Sequence, residues 1–159
     1  MISRIKELIN PLPGYTILHV TSKVDEMTSM LLEMLGDVGG KLNLAIYGDD
    51  IIEPVDNIRV QNIANYDDMF RALPRDNDIV IFHDVFLKHS QQGRMLENAY
   101  MTLANAAYII IIEKEGSMDI QEVKATLEQH EFRAPNEIDI IKGYDLIMAK
   151  KMHMWGNGL

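Results

Sequence analysis

His83 and Asp84 are the residues whose types and position best suit them to move a proton. They directly follow residues 78–82, a largely apolar run typical of a buried strand in a parallel sheet. An imidazole titrates near neutral pH, so His83 is a candidate general base. The alternative is a histidine that only borders the loop. His89 lies nearby, but the spacing matches no metal-ligand pattern, and we predict no metal site.

A second polar group, formed by Thr21, Ser22 and Lys23, lies between the predicted first strand and the next helix. Open α/β sheets bind ligands at this edge, where the free N–H groups of a helix N-terminus attract anions. One interpretation is a site for a small anion or carboxylate, with Lys23 supplying the charge. The other is an ordinary helix cap beside a solvated lysine. The residues alone leave both open.

Hydrophobic periodicity and the positions of glycine and proline predict the elements that position these residues. We predict helices at residues 2–9, 25–35, 66–73, 90–106 and 119–131, and strands at 15–20, 42–47, 58–62, 78–82, 108–112, 137–141 and 144–149. Lys142 and Gly143 leave room only for a tight turn, so the last two strands are antiparallel. The prediction is a doubly wound, mostly parallel, seven-stranded α/β sheet with an antiparallel C-terminal hairpin strand and helices on both faces.

Two further titratable residues lie within or directly after predicted strands. His19 falls inside the first strand, and we predict a hydrogen-bonded histidine of the core or sheet edge. Glu113 follows the fifth strand; one interpretation is a carboxylate that faces the cleft, and the other, which we favour, is a position on the surface.

A length of 159 residues predicts one domain, with an N-terminal helix and linker at 1–14, a core at 15–150 and a tail at 151–159 that contains Trp155. Apolar residues make up 47% and charged residues 25%, as in ordinary globular proteins. No apolar run is long enough for a membrane span or a signal peptide. The sequence has no cysteine, which excludes disulfides and thiolate catalysis. We therefore expect a cytoplasmic protein without a membrane partner.

The net charge of −9 bears on possible partners. An acidic chain repels a phosphate backbone unless it concentrates its lysines and arginines in one place. The longest basic cluster here is Lys150–Lys151. We therefore expect no direct contact with nucleic acid.

A parallel sheet that ends in an antiparallel hairpin resembles the class I S-adenosylmethionine-dependent methyltransferases. Residues 78–89 are similar to the fourth strand and following loop of that family, and residues 103–113 to its next helix and fifth strand. Residues 123–132 and 144–150 resemble the last helix and the terminal hairpin. The resemblance implies S-adenosylmethionine as cofactor and a small-molecule or protein methyl acceptor. His83 and Asp84 would face that acceptor, and placement of the acceptor supplies most of the catalysis.

The first loop departs from the pattern of that family. A glycine-rich loop lets the methionine arm of the cofactor lie against the backbone. Residues 17–26 contain no glycine here; Thr21, Lys23 and Asp25 stand at the expected glycine positions, and His19 at that of the usual acidic residue.

The resemblance also implies where the nucleoside would be held. Asp49 or Asp50, after the second strand, corresponds to the carboxylate that accepts the ribose hydroxyls. Asn62 or Asn65 would replace the usual adenine-binding acid. The predicted cofactor-binding residues are therefore Thr21, Ser22, Lys23, Asp49, Asp50, Asn62 and Asn65.

Two functions of different classes remain open. The first is a methyltransferase with an unusual cofactor loop. The second is a domain that has kept the sheet and lost the cofactor, and acts as a scaffold or regulatory subunit. Such a subunit is expected to be a homodimer that uses its acidic surface and the Trp155 tail as contacts. A flavodoxin-like or response-regulator-like sheet is disfavoured by the terminal hairpin.

Overall fold

The computed structural model describes residues 2–53 and 55–152, which form a three-layer α/β fold. The strands are β1 Thr16–Thr21, β2 Lys41–Tyr47, β3 Ile58–Ile63, β4 Asn77–His83, β5 Leu103–Lys114, β6 Phe132–Glu137 and β7 Tyr144–Lys151, and the helices are α1 Glu26–Gly36, α2 Gln92–Thr102 and α3 Ile120–Gln129. Residues Ile2–Glu7 form a 3-10 helix where an α-helix was predicted. No helix of the described residues is long and apolar enough to cross a membrane.

The sheet has seven strands in the order β3-β2-β1-β4-β5-β7-β6. β1 pairs in parallel with both β2 and β4, and β4 pairs in parallel with β5. β7 enters between β5 and β6 and runs antiparallel to both. The predicted fold class is therefore confirmed, including the antiparallel strand contributed by the C-terminal hairpin.

Alternate residues of each strand point to opposite faces, so the sheet separates two buried apolar clusters. Ile17, Leu44 and Ile81 lie on the face covered by α1, which we call the α1 face. Leu18 and Val80 lie on the opposite face with residues of α2 and α3, which we call the α2 face. The strands at the centre of the sheet are buried on both faces, which explains their nearly continuous apolar sequences.

The predicted helix at residues 66–73 is absent from the structure, and this segment forms turns and irregular chain. Asn65 accepts a hydrogen bond from the Asp67 N–H at 2.9 Å, a local bond that competes with helix formation. Further along, the Gln61 side chain both accepts from and donates to the backbone of Arg71. Side-chain bonds to the backbone therefore replace the helix between β3 and β4. The described residues between β2 and β3 also contain no helix, in agreement with the predicted order of elements.

The predicted helix at residues 90–106 is shorter in the structure. α2 begins after Gln91, and the Ser90 hydroxyl donates to the Tyr66 carbonyl instead of capping the helix. Residues 103–106 belong to β5, with Ala106 in a left-handed conformation (φ 66°). Lys151 explains this boundary, because its ammonium group binds two carbonyls at the end of α2 that the helix leaves unpaired.

Both of the last two strands differ from the prediction: β6 lies earlier in the sequence, and β7 is longer. β6 covers Phe132–Glu137 rather than 137–141, because Phe132 is fully buried. Residues 138–143 form the connection, with Ile141 buried on the α1 face. β7 extends through Lys151, the first residue of the predicted tail. The predicted contact residue Trp155 lies outside the described residues.

Candidate functional site

The carboxyl ends of β1 and β4 bring the two predicted polar groups together. Thr21 and His83 are register partners in the parallel pair of β1 and β4. We call residues 19–25 and 83–84 the β1–β4 corner. The side chains of His19, Thr21 and His83 lie on the α1 face, because they alternate with the residues of the α2 face. The sequence prediction that Thr21 and His83 share one edge of the sheet is confirmed by this pairing.

Two buried histidines form the centre of the β1–β4 corner. The rings of His19 and His83 are stacked, with centroids 6.0 Å apart and an interplanar angle of 15°. His19 is fully buried and His83 is 1% exposed. None of their four ring nitrogens has a hydrogen-bond partner among the described residues. His19 therefore differs from the prediction of a hydrogen-bonded histidine, because its neighbours on the sheet are apolar.

Burial keeps both histidines neutral. It lowers the pKa of His19 to about 3, with a smaller contribution from His83. Burial also lowers the pKa of His83, against the opposing attraction of Asp84 and Asp25. A neutral imidazole has an acceptor nitrogen and can take up a proton. The corner can therefore accept a proton at His83, the histidine that lies next to the two carboxylates.

Asp84 and Asp25 lie next to the two nitrogens of His83. An Asp84 carboxylate oxygen lies 3.4 Å from Nε2, and one of Asp25 lies 4.0 Å from Nδ1. Asp84 adopts a left-handed conformation (φ 58°), which is uncommon for a residue other than glycine. Its N–H donates to the Ile112 carbonyl at 3.0 Å. His83 and Asp84 are thus adjacent at this edge, and a catalytic role for them stays a prediction.

The loop from β1 to α1 is closed by its own side chains. Thr21 is fully buried, and its hydroxyl donates to the Lys23 carbonyl at 3.0 Å and accepts from the Lys23 N–H at 3.4 Å. Asp25 caps α1 by accepting from the Met27 N–H. Side chains at the positions where a methyltransferase has glycines therefore build a tight turn and a helix cap.

The loop after β2 is bonded to the β1–α1 loop and to β3. The Asp50 carboxylate accepts from the Val24 N–H at 2.8 Å. The Asn62 amide donates to the carbonyls of Gly48 and Asp50 at 3.1 and 3.0 Å. Gly48 has φ +146°, and a Cβ there would meet the Ser22 carbonyl oxygen at 3.5 Å. The structure thus brings Ser22, Asp50 and Asn62 close together, and Asn62 donates to the Asp50 carbonyl, while the Asp50 carboxylate is bonded to Val24.

Asp49 and Asn65 take no part in this network. Asp49 is exposed, and the Asn65 side chain forms the turn with Asp67 described above. Within the described residues, no group of three or more histidine and acidic side chains could hold a metal ion.

Glu113 was predicted on the surface and is buried, with only 4% of its area exposed. Its carboxylate accepts from the Leu87 N–H at 3.2 Å. Burial raises the pKa of Glu113, and the nearby charge of Asp84 raises it further. The strongly apolar strand before Glu113 was the signal that it could be buried.

Comparison with solved structures places this fold among methyltransferases. A SAM-dependent methyltransferase from Aquifex aeolicus superposes with a TM-score of 0.71 at 18% identity, over 95% of this chain and 89% of that one. A phosphoethanolamine N-methyltransferase of Haemonchus contortus in complex with S-adenosyl-L-methionine gives 0.72 at 7% identity, over 96% of this chain and 52% of that one. A chain from the complex between the Haloferax volcanii Trm112 methyltransferase activator and the putative methyltransferase gives a TM-score of 0.69 at 11% identity, over 89% of this chain and 84% of that one. No protein-family model and no curated protein sequence matches.

The fold is therefore that of the class I methyltransferases, a Rossmann-like sheet with the strand order given above. Because sequence identity to these structures lies between 7% and 18%, the likeness defines the fold and leaves activity to be argued from the site.

Proposed function

We propose that this chain is a methyltransferase-fold scaffold or regulatory subunit that does not bind S-adenosylmethionine at the β1–β4 corner. The turn after β1 carries the proposal. A bound methionine arm needs bare backbone there, whereas Thr21 fills the turn and closes it on Lys23. Replacing the fully buried Thr21 hydroxyl by a ligand would break two hydrogen bonds.

The positions expected to bind the nucleoside support the same proposal. Asp50 would accept hydrogen bonds from the ribose hydroxyls, yet its carboxylate already accepts one from the Val24 N–H. Asn62 would contact adenine, yet its amide donates to two carbonyls of the β2–β3 loop. A cofactor would have to replace these bonds before it gained any of its own.

A second candidate is an S-adenosylmethionine-dependent methyltransferase whose acceptor, a small molecule or a protein, is unidentified. The observation that favours it is the position of His83 between Asp25 and Asp84 at the edge where such enzymes bind ligands. His83 would then remove a proton from the acceptor, with Asp84 orienting its ring. The cofactor would supply the methyl group.

Ligand binding separates the two candidates. We would measure thermal stability and heat of binding with S-adenosylmethionine and S-adenosylhomocysteine at millimolar concentration, with the Aquifex aeolicus methyltransferase as positive control. A ligand at one hundred times its Kd adds about 2.7 kcal/mol of stability. We expect no shift for this chain. Saturable binding with amide shifts at residues 21–25 would contradict the proposal and favour the methyltransferase.

The loop after β2 offers a surface for the protein contacts that a scaffold needs. Ile51 is 87% exposed, next to Asp50 and the bonds that fix this loop. Val55, a second large apolar side chain of the same loop, is 47% exposed, and apolar side chains exposed close together are suited to contact another protein. The first partner to test is a second copy of this chain, as predicted from the sequence.

Sedimentation velocity at rising protein concentration tests this contact. We expect a dimer that Ile51→Asp dissociates and that Leu12→Asp leaves intact, because Leu12 is also exposed (64%) but lies in another part of the chain. A dimer that survives Ile51→Asp would show that the loop is not the contact. A monomer at every concentration would rule out the homodimer.

A further inference from the structure

The α2 face contains a cavity of about 280 Å³ on the opposite side of the sheet from His19 and His83. Its lining includes residues of β1, β2, β3 and the irregular segment before β4. In a doubly wound sheet the crossover between β3 and β4 is usually a helix packed on this face. The irregular segment that replaces it here leaves part of the sheet uncovered, and this accounts for the cavity.

Register places polar and apolar side chains together on this part of the sheet. Leu18 pairs with Asn43, and Asn43 pairs with Arg59, so all three side chains point to the same face. Ala72 and Leu73 contribute apolar groups from the irregular segment. Leu73 is 59% exposed, one of the few large apolar side chains that the described residues leave open to solvent. A ligand in the cavity would cover Leu73.

The walls of the cavity are fixed by hydrogen bonds. The Asn43 amide donates to Asn77 at 2.9 Å, and the Asn77 amide donates to Thr102 at 2.8 Å. The Thr102 hydroxyl donates in turn to the Leu73 carbonyl at 2.6 Å. Asn77 is only 2% exposed, so this chain of bonds is part of the core. The cavity is therefore preformed, and ligand binding loses little conformational entropy in ordering its walls.

Two arginines and one aspartate line this cavity in a protein of net charge −9. Neither Arg59 nor Arg71 forms an ion pair with the described residues. Asp76 supplies the only carboxylate of the lining, so the local charge is positive. A guanidinium group binds a carboxylate through two parallel hydrogen bonds. The charge of the cavity is thus complementary to an organic anion.

We propose that this cavity binds a small carboxylate with an apolar body, the carboxylate held by Arg59 and Arg71 and the body resting on Leu18, Ala72 and Leu73. Its volume lies at the small end of ligand pockets, which run from roughly 300 to 1,000 Å³. A compact aromatic or branched acid fits this size, whereas a nucleotide is too large.

Benzoate is a suitable probe, and benzamide and inorganic phosphate are its controls. Benzamide keeps the apolar ring without the charge, and phosphate keeps the charge without the ring. We would follow the amide resonances of residues 59–61, 71–73 and 75–77 during titration of the full chain. We expect saturable shifts with benzoate, at least tenfold weaker binding of benzamide and no saturable binding of phosphate. Equal binding of benzoate and benzamide, or of benzoate and phosphate, would overturn the proposal.

Substitution of the arginines supplies the second test. Arg59→Gln with Arg71→Gln changes two exposed side chains, so the fold should persist. We expect this double variant to bind benzoate at least tenfold more weakly. Arg133→Gln, an exposed arginine on β6, should leave the affinity unchanged. Unchanged affinity in the double variant, or shifts of residues elsewhere, would show that the acid does not bind here.

Discussion

The imidazole rings of His19 and His83 lie nearly parallel in the interior of the protein, with centroids 6.0 Å apart. All four ring nitrogens lack a partner among the described residues. A buried polar group without a partner costs about 1–3 kcal/mol. The protein therefore tolerates an unfavourable pair at the edge of the sheet where open α/β folds bind ligands.

His19→Leu should raise the free energy of unfolding at pH 7 by about 1–2 kcal/mol, because it removes two unpaired polar atoms from the core. His89→Leu is the matched control. His89 is also buried, but its ring contacts the Asp68 carbonyl at 3.0 Å and accepts from the Gln91 N–H at 2.9 Å. We expect His89→Leu to lower the free energy of unfolding, measured by urea titration, by about 1–3 kcal/mol. A loss of stability in both variants would mean that His19 has a partner in solution.

The same residue should make stability depend on pH. The pKa of His19 is about 3 in the folded protein and about 6.5 in the unfolded chain. Between these values the unfolded state binds the additional proton, so the free energy of unfolding falls as the pH is lowered from 6.5 towards 3. His19→Leu should remove this contribution. Parallel slopes of stability against pH in the wild type and the variant would contradict it.

Asp84→Asn should lower the pKa of His83 further, because Asp84 is the nearer of the two carboxylates that favour its protonated form. Asparagine tolerates the left-handed backbone of this residue, so the fold should persist. NMR titration of the imidazole measures the shift. Asp25→Asn should produce a smaller decrease, since its carboxylate lies at 4.0 Å rather than 3.4 Å. An unchanged pKa in both variants would mean that His83 does not interact with these carboxylates.

The sequence was sufficient to predict the sheet, because its information is local and periodic. The apolar runs at 78–82 and 108–112 are typical of central strands and belong to β4 and β5. The antiparallel final pair was also predicted correctly, although residues 138–143, and not Lys142–Gly143 alone, connect its strands. The helix predicted at 66–73 failed for a different reason. Its apolar spacing was suitable, but the bonds of Gln61 to the backbone of Arg71 are long-range and override local propensity.

The candidate site could be predicted by position but not by its contacts. Parallel strands end at one edge, so Thr21 and His83 had to share that edge, but it is the strand order that makes them neighbours. Nothing in the order of residues indicated that Asp50 would accept from Val24, since these residues are joined only in the folded chain. The order of residues also did not indicate that the His19 ring would lack hydrogen-bond partners, since this depends on the apolar residues that surround it in the folded chain.

Asp50→Ala tests how firmly the two loops of the corner are joined. Loss of the bond to the Val24 N–H should lower the free energy of unfolding by about 0.5–1.5 kcal/mol and speed amide exchange at Val24. Asp49→Ala is the control, because Asp49 is exposed and takes no part in the network. Equal exchange at Val24 in both variants would mean that the Asp50 bond does not persist in solution. The ribose-binding position would then be free, which would favour the second candidate function.

Lys151 shows how a residue predicted in a tail contributes to the core. Its ammonium group donates to the carbonyls of Tyr100 and Leu103, each at 2.7 Å, and lies 4.6 Å from the centre of the Tyr100 ring. Lys151→Met keeps the apolar stem but leaves both carbonyls without this donor, and should lower the free energy of unfolding by about 2–4 kcal/mol.

Lys150→Met is the matched control for Lys151, because its ammonium group lies over the Tyr108 ring, at 5.8 Å from the centre, and donates to no carbonyl of the described residues. We expect that substitution to lower the free energy of unfolding by about 0.5 kcal/mol or less. Urea denaturation of the two variants measures both values. Similar stabilities would show that the two carbonyls find other partners, and the end of α2 would then not depend on the last strand.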